Sequence, residues 1–206
     1  DRIATADGTE PVDRWSTFLT NQGTDAHLAA GSVGGLREDA GYRVDGVVEW
    51  TPETRQGGHV FFTLAAADDS TATTDDPAAE TVDCVAFEPT KRFRDRVRGL
   101  RVGDRLTVCG EHSAGTIKLE KFAVRELTRT EQVTPACPDC GRRMKSAGRD
   151  QGYRCRDCGT QSPGKVDRAV DRELSVGWYE VPPVARRHIA KPLVRGGFDA
   201  PTHQER

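Results

Sequence analysis

The sequence contains no apolar run that approaches the roughly 20 residues a membrane-spanning helix requires. It also has no basic, apolar, small-residue segment at its start of the kind that directs secretion. Asp1 stands where an initiator methionine is expected, which favours a fragment of a longer protein. With 30% charged and 35% hydrophobic residues, the 206-residue chain is predicted to be soluble, cytoplasmic and without a membrane partner, with one large or two small domains.

Lysine is scarce, supplying only 6 of the 30 basic residues, so most of the positive charge is arginine. The net charge of −2 is unevenly distributed, because residues 141–195 carry 13 Lys or Arg against 6 Asp or Glu. This imbalance predicts that the C-terminal third binds a polyanion. By contrast, residues 68–83 hold six acids and no base, and are expected to form a solvated loop insertion.

A mainly β domain is predicted over residues 41–130. Apolar, partly alternating runs indicate five strands, at residues 42–50, 59–66, 81–87, 105–110 and 116–127. A short helix with Thr90 as its N-cap lies between the third and fourth strands. This order is that of the five-stranded OB-fold barrel, whose open face and loops bind oligonucleotides or sugars.

Two features of this domain allow either a structural or a binding interpretation. The basic residues Lys91, Arg92 and Arg94 at the helix are candidate RNA contacts, or simply the solvated face of an amphipathic helix. Strand alternation cannot bury both Phe61 and Phe62. One of these rings is therefore a candidate for stacking on a base, whereas packing in the core explains the other.

Four of the six cysteines form two Cys-x-x-Cys pairs with 14 residues between them: Cys137 with Cys140, and Cys155 with Cys158. This spacing predicts a four-cysteine zinc ribbon over residues 131–165, and Gly141 and Gly159 permit the tight turn after each pair. Two disulfides are disfavoured in a reducing cytosol, and a redox motif needs only one pair. Because four protein ligands leave no open position, the zinc is predicted to be structural.

Residues 166–206 are predicted to form a basic C-terminal tail. The two prolines after Trp178-Tyr179 favour an extended chain, and a dense basic cluster follows them. An exposed charged tail without a partner explains the same pattern. The ribbon and tail supply the further candidate RNA contacts: Arg142, Arg143, Lys145, Arg154, Arg186, Arg187, His188, Lys191 and Arg195.

A polar string, Asn21-Gln22-Gly23-Thr24-Asp25-Ala26-His27, lies within residues 1–40. A turn with Thr24 or Asp25 as the N-cap of a short helix accounts for it. A cluster containing His and Asp also suits the lining of a site. The candidate catalytic residues are Asn21, Gln22, Thr24, Asp25 and His27.

Several ordered motifs between about Thr17 and Arg195 resemble the C-terminal half of the archaeal tRNA(Ile) 2-agmatinylcytidine synthetases, the TiaS family. The motifs are residues 21–27, Gly57-Gly58-His59-Val60, residues 88–94, Met144-Lys145-Ser146 and residues 186–193. The resemblance implies an OB-fold followed by a zinc ribbon. It also implies that residues 1–40 connect to an upstream catalytic region, with kinase-like and ferredoxin-like domains, outside these 206 residues.

The activity that the resemblance implies is an ATP-dependent ligation on the isoleucine tRNA whose wobble base is cytidine. The family phosphorylates the oxygen on carbon 2 of that base, and agmatine then displaces the phosphate, so that AUA codons are read as isoleucine. ATP and Mg are expected on the missing catalytic half. The tRNA is the expected partner of this half, with ATP and agmatine as co-substrates of the full enzyme.

Two other functions fit the residues alone. One is a non-catalytic OB-fold and zinc-ribbon protein that binds single-stranded nucleic acid. The other is a protein-interaction scaffold that docks through its ribbon. An upstream catalytic domain would favour the ligase, and indifference to every nucleic acid would favour the scaffold.

Overall fold

The computed structural model describes residues 14, 16–67 and 81–204. Residues 68–80 of the predicted acidic insertion, and most of the first 15 residues of the predicted connecting segment, therefore lie outside the described part of the chain. Among the described residues, no helix has the length and apolar character needed to cross a bilayer.

The described residues form thirteen β-strands, one α-helix, α1 (Arg92–Arg98), and short 3-10 turns. The mainly β prediction is therefore confirmed. In chain order the strands are β1 (Ala29–Gly31), β2 (Ala40–Thr54), β3 (Val60–Ala66), β4 (Thr81–Ala86), β5 (Arg105–Ser113), β6 (Thr116–Glu126), β7 (Thr130–Val133), β8 (Lys145–Ser146), β9 (Tyr153–Arg154), β10 (Gln161–Ser162), β11 (Val166–Ala169), β12 (Gly177–Glu180) and β13 (Thr202–His203).

Five of the strands pair in a ring. β2 pairs with β3, β3 with β4, β6 with β5, and β5 with β2, all antiparallel, whereas β4 and β6 are parallel. The helix lies between β4 and β5 in the chain, which is the predicted order of elements. The predicted N-cap at Thr90 is wrong, because Pro89 helps to form a 3-10 turn there. The Thr90 hydroxyl donates to the Phe87 carbonyl, and Lys91 takes the N-cap position.

The interior of the ring is apolar because alternate residues of each strand face inward. Val48, Leu64 and Phe122 are fully buried, and Phe93 of α1 packs against Phe122 with ring centroids 5.4 Å apart. On β3, Phe62 belongs to this core with 2% of its surface exposed. The neighbouring Phe61 therefore faces outward.

Residues 172–204 pack back against the ring of strands. β11 pairs with β7 to form a two-stranded arm that connects the ring to the cysteine-rich region. β12 adds to the main sheet beside β6, and β13 pairs with β12. Trp178 and Tyr179, expected in an extended stretch, are each only 2% exposed. Their burial is the reason this segment docks, since Trp178 and Leu193 form a second apolar core with residues of β5 and β6.

A buried ion pair fixes the base of the arm. Arg172 donates from Nη2 to one carboxylate oxygen of Asp104 at 2.6 Å and from Nη1 to the other at 2.9 Å. Their side chains are 1% and 0% exposed. Arg172 also donates to the carbonyls of Thr128 and Gly99, and Asp104 accepts the backbone N–H groups of Arg101 and Thr128. The pair therefore joins the arm to the loops at one end of the ring.

Candidate functional site

The two Cys-x-x-Cys pairs meet at one point. All four Sγ atoms lie within 4.8 Å of one another, and those of Cys140 and Cys155 are 3.6 Å apart. Four sulfurs bound at about 2.3 Å to one zinc ion lie about 3.8 Å apart, so this arrangement fits tetrahedral zinc. The separation is too long for a disulfide bond of about 2.05 Å, and all six cysteines are free thiols.

Each pair of cysteines sits in the same kind of turn. The N–H of Gly141 donates to the Cys137 carbonyl at 2.8 Å, and that of Gly159 donates to the Cys155 carbonyl at 3.1 Å. Both glycines have φ above +70°, a conformation that strains other residues. Burial raises the pKa of the Cys137 thiol, but hydrogen bonds from the turn's backbone N–H groups and neighbouring thiols lower it to about 7. Cys137 is thus held toward the thiolate, which is the form that binds metal, whereas the hydrogen bond with Cys140 and burial raise the pKa of the Cys158 thiol to about 12.

The rest of the ribbon is small. Strands β8, β9 and β10 form a three-stranded sheet, and its buried cluster consists of Met144 and two of the cysteines, with Tyr153 packed against them. A cluster of this size cannot hold the fold without the metal. We therefore expect zinc binding and folding of the ribbon to be coupled.

A basic cavity of about 790 Å³ opens beside the cysteines. Lys145, Arg154 and Arg156 line it, together with backbone and polar groups of the ribbon. Within the described part of the chain, these three side chains have no ion-pair partner. Lys145 and Arg154 are among the predicted RNA contacts, whereas Arg156 is not. The other two predicted contacts in the ribbon are Arg142, which pairs with Asp157, and Arg143, which lies 3.5 Å from the Thr134 hydroxyl.

The candidates beside α1 differ in their exposure. Arg92 is exposed, and Lys91 forms an exposed pair with Glu88 at 3.2 Å. Arg94 is only 14% exposed, because it donates to the Gly58 carbonyl and to Glu88. Arg94 therefore fastens the helix to the β2–β3 turn, and RNA contact by this group stays a prediction.

Two of the predicted RNA contacts in the tail, Arg186 and Arg187, are engaged with acidic groups of the chain itself. Arg186 pairs with Glu180 at 2.5 Å, and Arg187 pairs with Glu111 at 2.6 Å. The backbone N–H of Arg187 also donates to Glu120, whose side chain is 4% exposed. Burial raises the pKa of the Glu120 carboxyl, although the hydrogen bond and charge of Arg187 oppose this. These contacts hold the tail on the barrel.

Two sequence motifs, residues 21–27 and 186–193, meet at Lys121. Its ammonium group is buried, with 1% of the side chain exposed, and donates to both carboxylate oxygens of Asp25 at 2.8 Å. It also donates to the Lys191 carbonyl at 3.2 Å. Sequence reasoning missed Lys121, because a lysine on a strand resembles any solvent-facing residue.

The polar string forms a turn, and the helix expected after it is absent, since β1 follows instead. Gly23 donates to the His188 carbonyl at 3.0 Å, and Arg195 donates to the Gly23 carbonyl at 2.8 Å. The hydroxyl of Thr24 donates to the Asn21 carbonyl. The side chains that line a nearby cavity of about 420 Å³ include Gln22, His27, Arg187 and His188. Catalytic roles in this string stay predictions.

Comparison with known proteins gives concordant matches. The family model of the TiaS C-terminal zinc ribbon domain matches residues 134–174. The tRNA(Ile) 2-agmatinylcytidine synthetase TiaS of Haloquadratum walsbyi is 54% identical over 232 residues, covering 99% of this chain and 50% of that protein. The chain thus spans about half the length of the curated relatives it matches.

Solved structures agree. A complex of TiaS with its isoleucine tRNA and ATP is 42% identical with a TM-score of 0.68, covering 94% of this chain and 43% of that one. A complex of TiaS with the same tRNA, AMPCPP and agmatine is 38% identical with a TM-score of 0.67, covering 94% and 42%. The residues matched by the zinc ribbon model include the four clustered cysteines, which supports zinc as the metal of this domain. On its sequence, its fold and its cysteine site, the chain belongs to the TiaS family.

Proposed function

We propose that this chain is the tRNA-binding half of an ATP-dependent ligase that attaches agmatine to carbon 2 of the wobble cytidine in the AUA-decoding isoleucine tRNA. The observation that carries the proposal is 54% identity, across nearly the whole chain, to a protein named as that synthetase. The similar solved structures, which contain an isoleucine tRNA with ATP or agmatine, support the same function. We place the enzyme in the cytoplasm of an archaeal cell.

In this reaction, transfer of a phosphoryl group from ATP to the oxygen on carbon 2 creates a good leaving group. The primary amine of agmatine then forms the new C–N bond as phosphate departs. We assign ATP, Mg and the phosphoryl transfer to the part of the enzyme outside these residues. This half contributes orientation of the tRNA, and positioning of a bound substrate can lower a barrier by several kcal/mol.

The geometry favours the ribbon over the tail as the principal phosphate contact. Lys145, Arg154 and Arg156 surround an open cavity and are not engaged elsewhere among the described residues. Arg186 and Arg187 are already paired with carboxylates on β12 and β5, respectively. A guanidinium that has no internal partner can bind phosphate in a bidentate manner without first breaking a contact.

The proposal is tested by measuring how the zinc-loaded chain binds three nucleic acids, each at two salt concentrations. They are the isoleucine tRNA with a wobble cytidine, an unrelated tRNA and single-stranded DNA. We expect preference for the first RNA. Arg154→Gln should weaken binding and reduce the salt-dependence slope by about 1, whereas Arg168→Gln, which removes an exposed pair on the arm, should not. Equal affinity for all three nucleic acids would contradict tRNA selection by this half.

A further inference from the structure

The six cysteines differ in how well solvent reaches them. Cys140 and Cys158 are exposed, whereas the other four are buried. In the ribbon, each Cys-x-x-Cys turn therefore buries its first cysteine and presents its second to solvent. A cysteine that binds zinc is held as the thiolate, which is the nucleophilic form. The exposed sulfurs of the ribbon are thus both accessible and reactive.

The two cysteines of the barrel are protected from the same chemistry. Cys84 on β4 and Cys109 on β5 are 0% and 1% exposed. Burial raises the pKa of the Cys109 thiol to about 12, and it raises the pKa of the Cys84 thiol as well. Because the susceptibility of a cysteine to oxidation follows its thiolate character and its exposure, an oxidant is directed to the ribbon.

A second sulfur lies within reach of the exposed Cys140. Its Sγ atom is 3.6 Å from that of Cys155, which belongs to the other turn. A disulfide bond is about 2.05 Å long, so a relative movement of about 1.5 Å joins the two sulfurs. Cys155 also lines the basic cavity described above, and positive charge beside a sulfur is typical of reactive cysteines. Cys140 thus has a neighbour that can resolve an oxidised sulfur.

Loss of two sulfur ligands would open the ribbon and leave the barrel intact. Two remaining cysteines cannot complete the four-coordinate site that structural zinc requires. The buried cluster of the ribbon holds only Met144 and two of the cysteines, with Tyr153 against them, so its fold depends on the metal. The base of the arm is fixed separately by the buried pair of Arg172 with Asp104.

We propose that Cys140 is a site of oxidation by hydroperoxides, that Cys155 resolves it as a disulfide across the two turns, and that the ribbon then releases its zinc and opens. The Cys140 thiolate attacks one oxygen of hydrogen peroxide, the O–O bond breaks, and hydroxide leaves a sulfenic acid behind. The Cys155 thiolate attacks that sulfur and displaces a second hydroxide. Two electrons pass from the sulfurs to the peroxide.

The effect of this oxidation on tRNA rests on the function proposed above. Lys145, Arg154 and Arg156 surround one cavity only while the ribbon is folded. Opening of the ribbon should therefore weaken tRNA binding and reduce its salt-dependence slope by about 3, or about 1 for each basic residue. A dithiol reductant and zinc should together restore both the metal content and the affinity, because a disulfide is a reversible product.

Titration of the zinc-loaded chain with hydrogen peroxide tests the proposal. A chromogenic chelator measures released zinc, and peptide mapping by mass spectrometry should find Cys140 linked to Cys155. Dimedone, which traps sulfenic acids, should label Cys140 at low peroxide. Cys109→Ala is the matched control and should release zinc at the same peroxide concentration, since that thiol is buried in the barrel. Cys140→Ser removes a ligand, so the order of events is determined on the unsubstituted chain.

Several results would overturn the proposal. These are zinc retained in excess peroxide, dimedone on another cysteine in place of Cys140, or a disulfide confined to one turn. Zinc release with the Cys140–Cys155 disulfide but unchanged tRNA affinity would support the oxidation site and remove the ribbon from tRNA binding. If the reduced, zinc-loaded chain bound no tRNA, the proposed function would fail, whereas zinc release and peptide mapping would still decide the oxidation site.

Discussion

Replacing Arg172 by methionine should strongly destabilise the barrel although the residue lies outside the five-stranded ring. The side chain donates four hydrogen bonds, two to Asp104 and one each to the carbonyls of Thr128 and Gly99. Removing one partner of a buried ion pair costs about 3–5 kcal/mol of unfolding free energy. Because Asp104 retains two backbone N–H donors, we expect the lower end, about 3 kcal/mol.

The reciprocal change, Asp104→Ala, should be more damaging. It leaves a guanidinium that is 1% exposed without its carboxylate and leaves the N–H groups of Arg101 and Thr128 without an acceptor. We expect a loss of about 5 kcal/mol, at the upper end of the range. For a chain of this length, a loss of 3 kcal/mol corresponds to a fall in Tm of about 6–12 °C.

Urea unfolding of zinc-saturated protein, followed by tryptophan fluorescence and far-UV circular dichroism, measures these losses. Arg168→Met is the matched control, since Arg168 lies on the same arm but its pair with Glu131 is 65% and 41% exposed. That control should cost less than about 1 kcal/mol. A cost for Arg172→Met no larger than that of the control, or a smaller cost for Asp104→Ala than for Arg172→Met, would refute the reasoning.

Three further outcomes are expected. Cys155→Ser should release zinc and unfold the ribbon while the barrel stays folded; one tightly bound zinc per chain in the variant would contradict the ligand assignment. The raised pKa of Glu120 means that the folded state holds this proton more tightly, so stability falls as pH rises from about 4.5 through the raised value. Glu120→Gln should reduce that fall in urea unfolding at several pH values, and an undiminished fall would exclude this group as its source. Lys121→Met should free the segment around Asp25 to proteolysis, and unchanged cleavage would show that the ammonium group is not its anchor.

The order of the barrel strands and the cysteine site could be predicted because their signals are local. Alternating apolar residues define each strand, and two short Cys-x-x-Cys pairs at a set spacing define the ribbon. The choice between Phe61 and Phe62 required the structure, since adjacent residues satisfy the alternation equally well until the register is known.

The docking of the C-terminal segment could not be predicted, because it depends on contacts between residues far apart in sequence. β12 pairs with β6 across separations of 53 to 59 residues, and Asp104 meets Arg172 across a separation of 68. The sequence shows that the tail is basic, but it does not show which groups its arginines contact. Arg186 pairs with Glu180, whose position is set by the pairing of β12 with β6. The composition of a segment gives its charge, but only the structure shows which groups pair with that charge.

The ribbon is joined to the barrel through the two antiparallel strands of the arm, β7 and β11. Thr130 and Ala169 are cross-strand partners, so the chain leaves the barrel and returns to it at a single place. Paired residues of an antiparallel ladder are about 5 Å apart, a gap that a short turn can close. After the arm the chain continues into β12, which pairs with β6 of the barrel. The ribbon can therefore be gained, lost or exchanged in evolution without altering the path of the barrel.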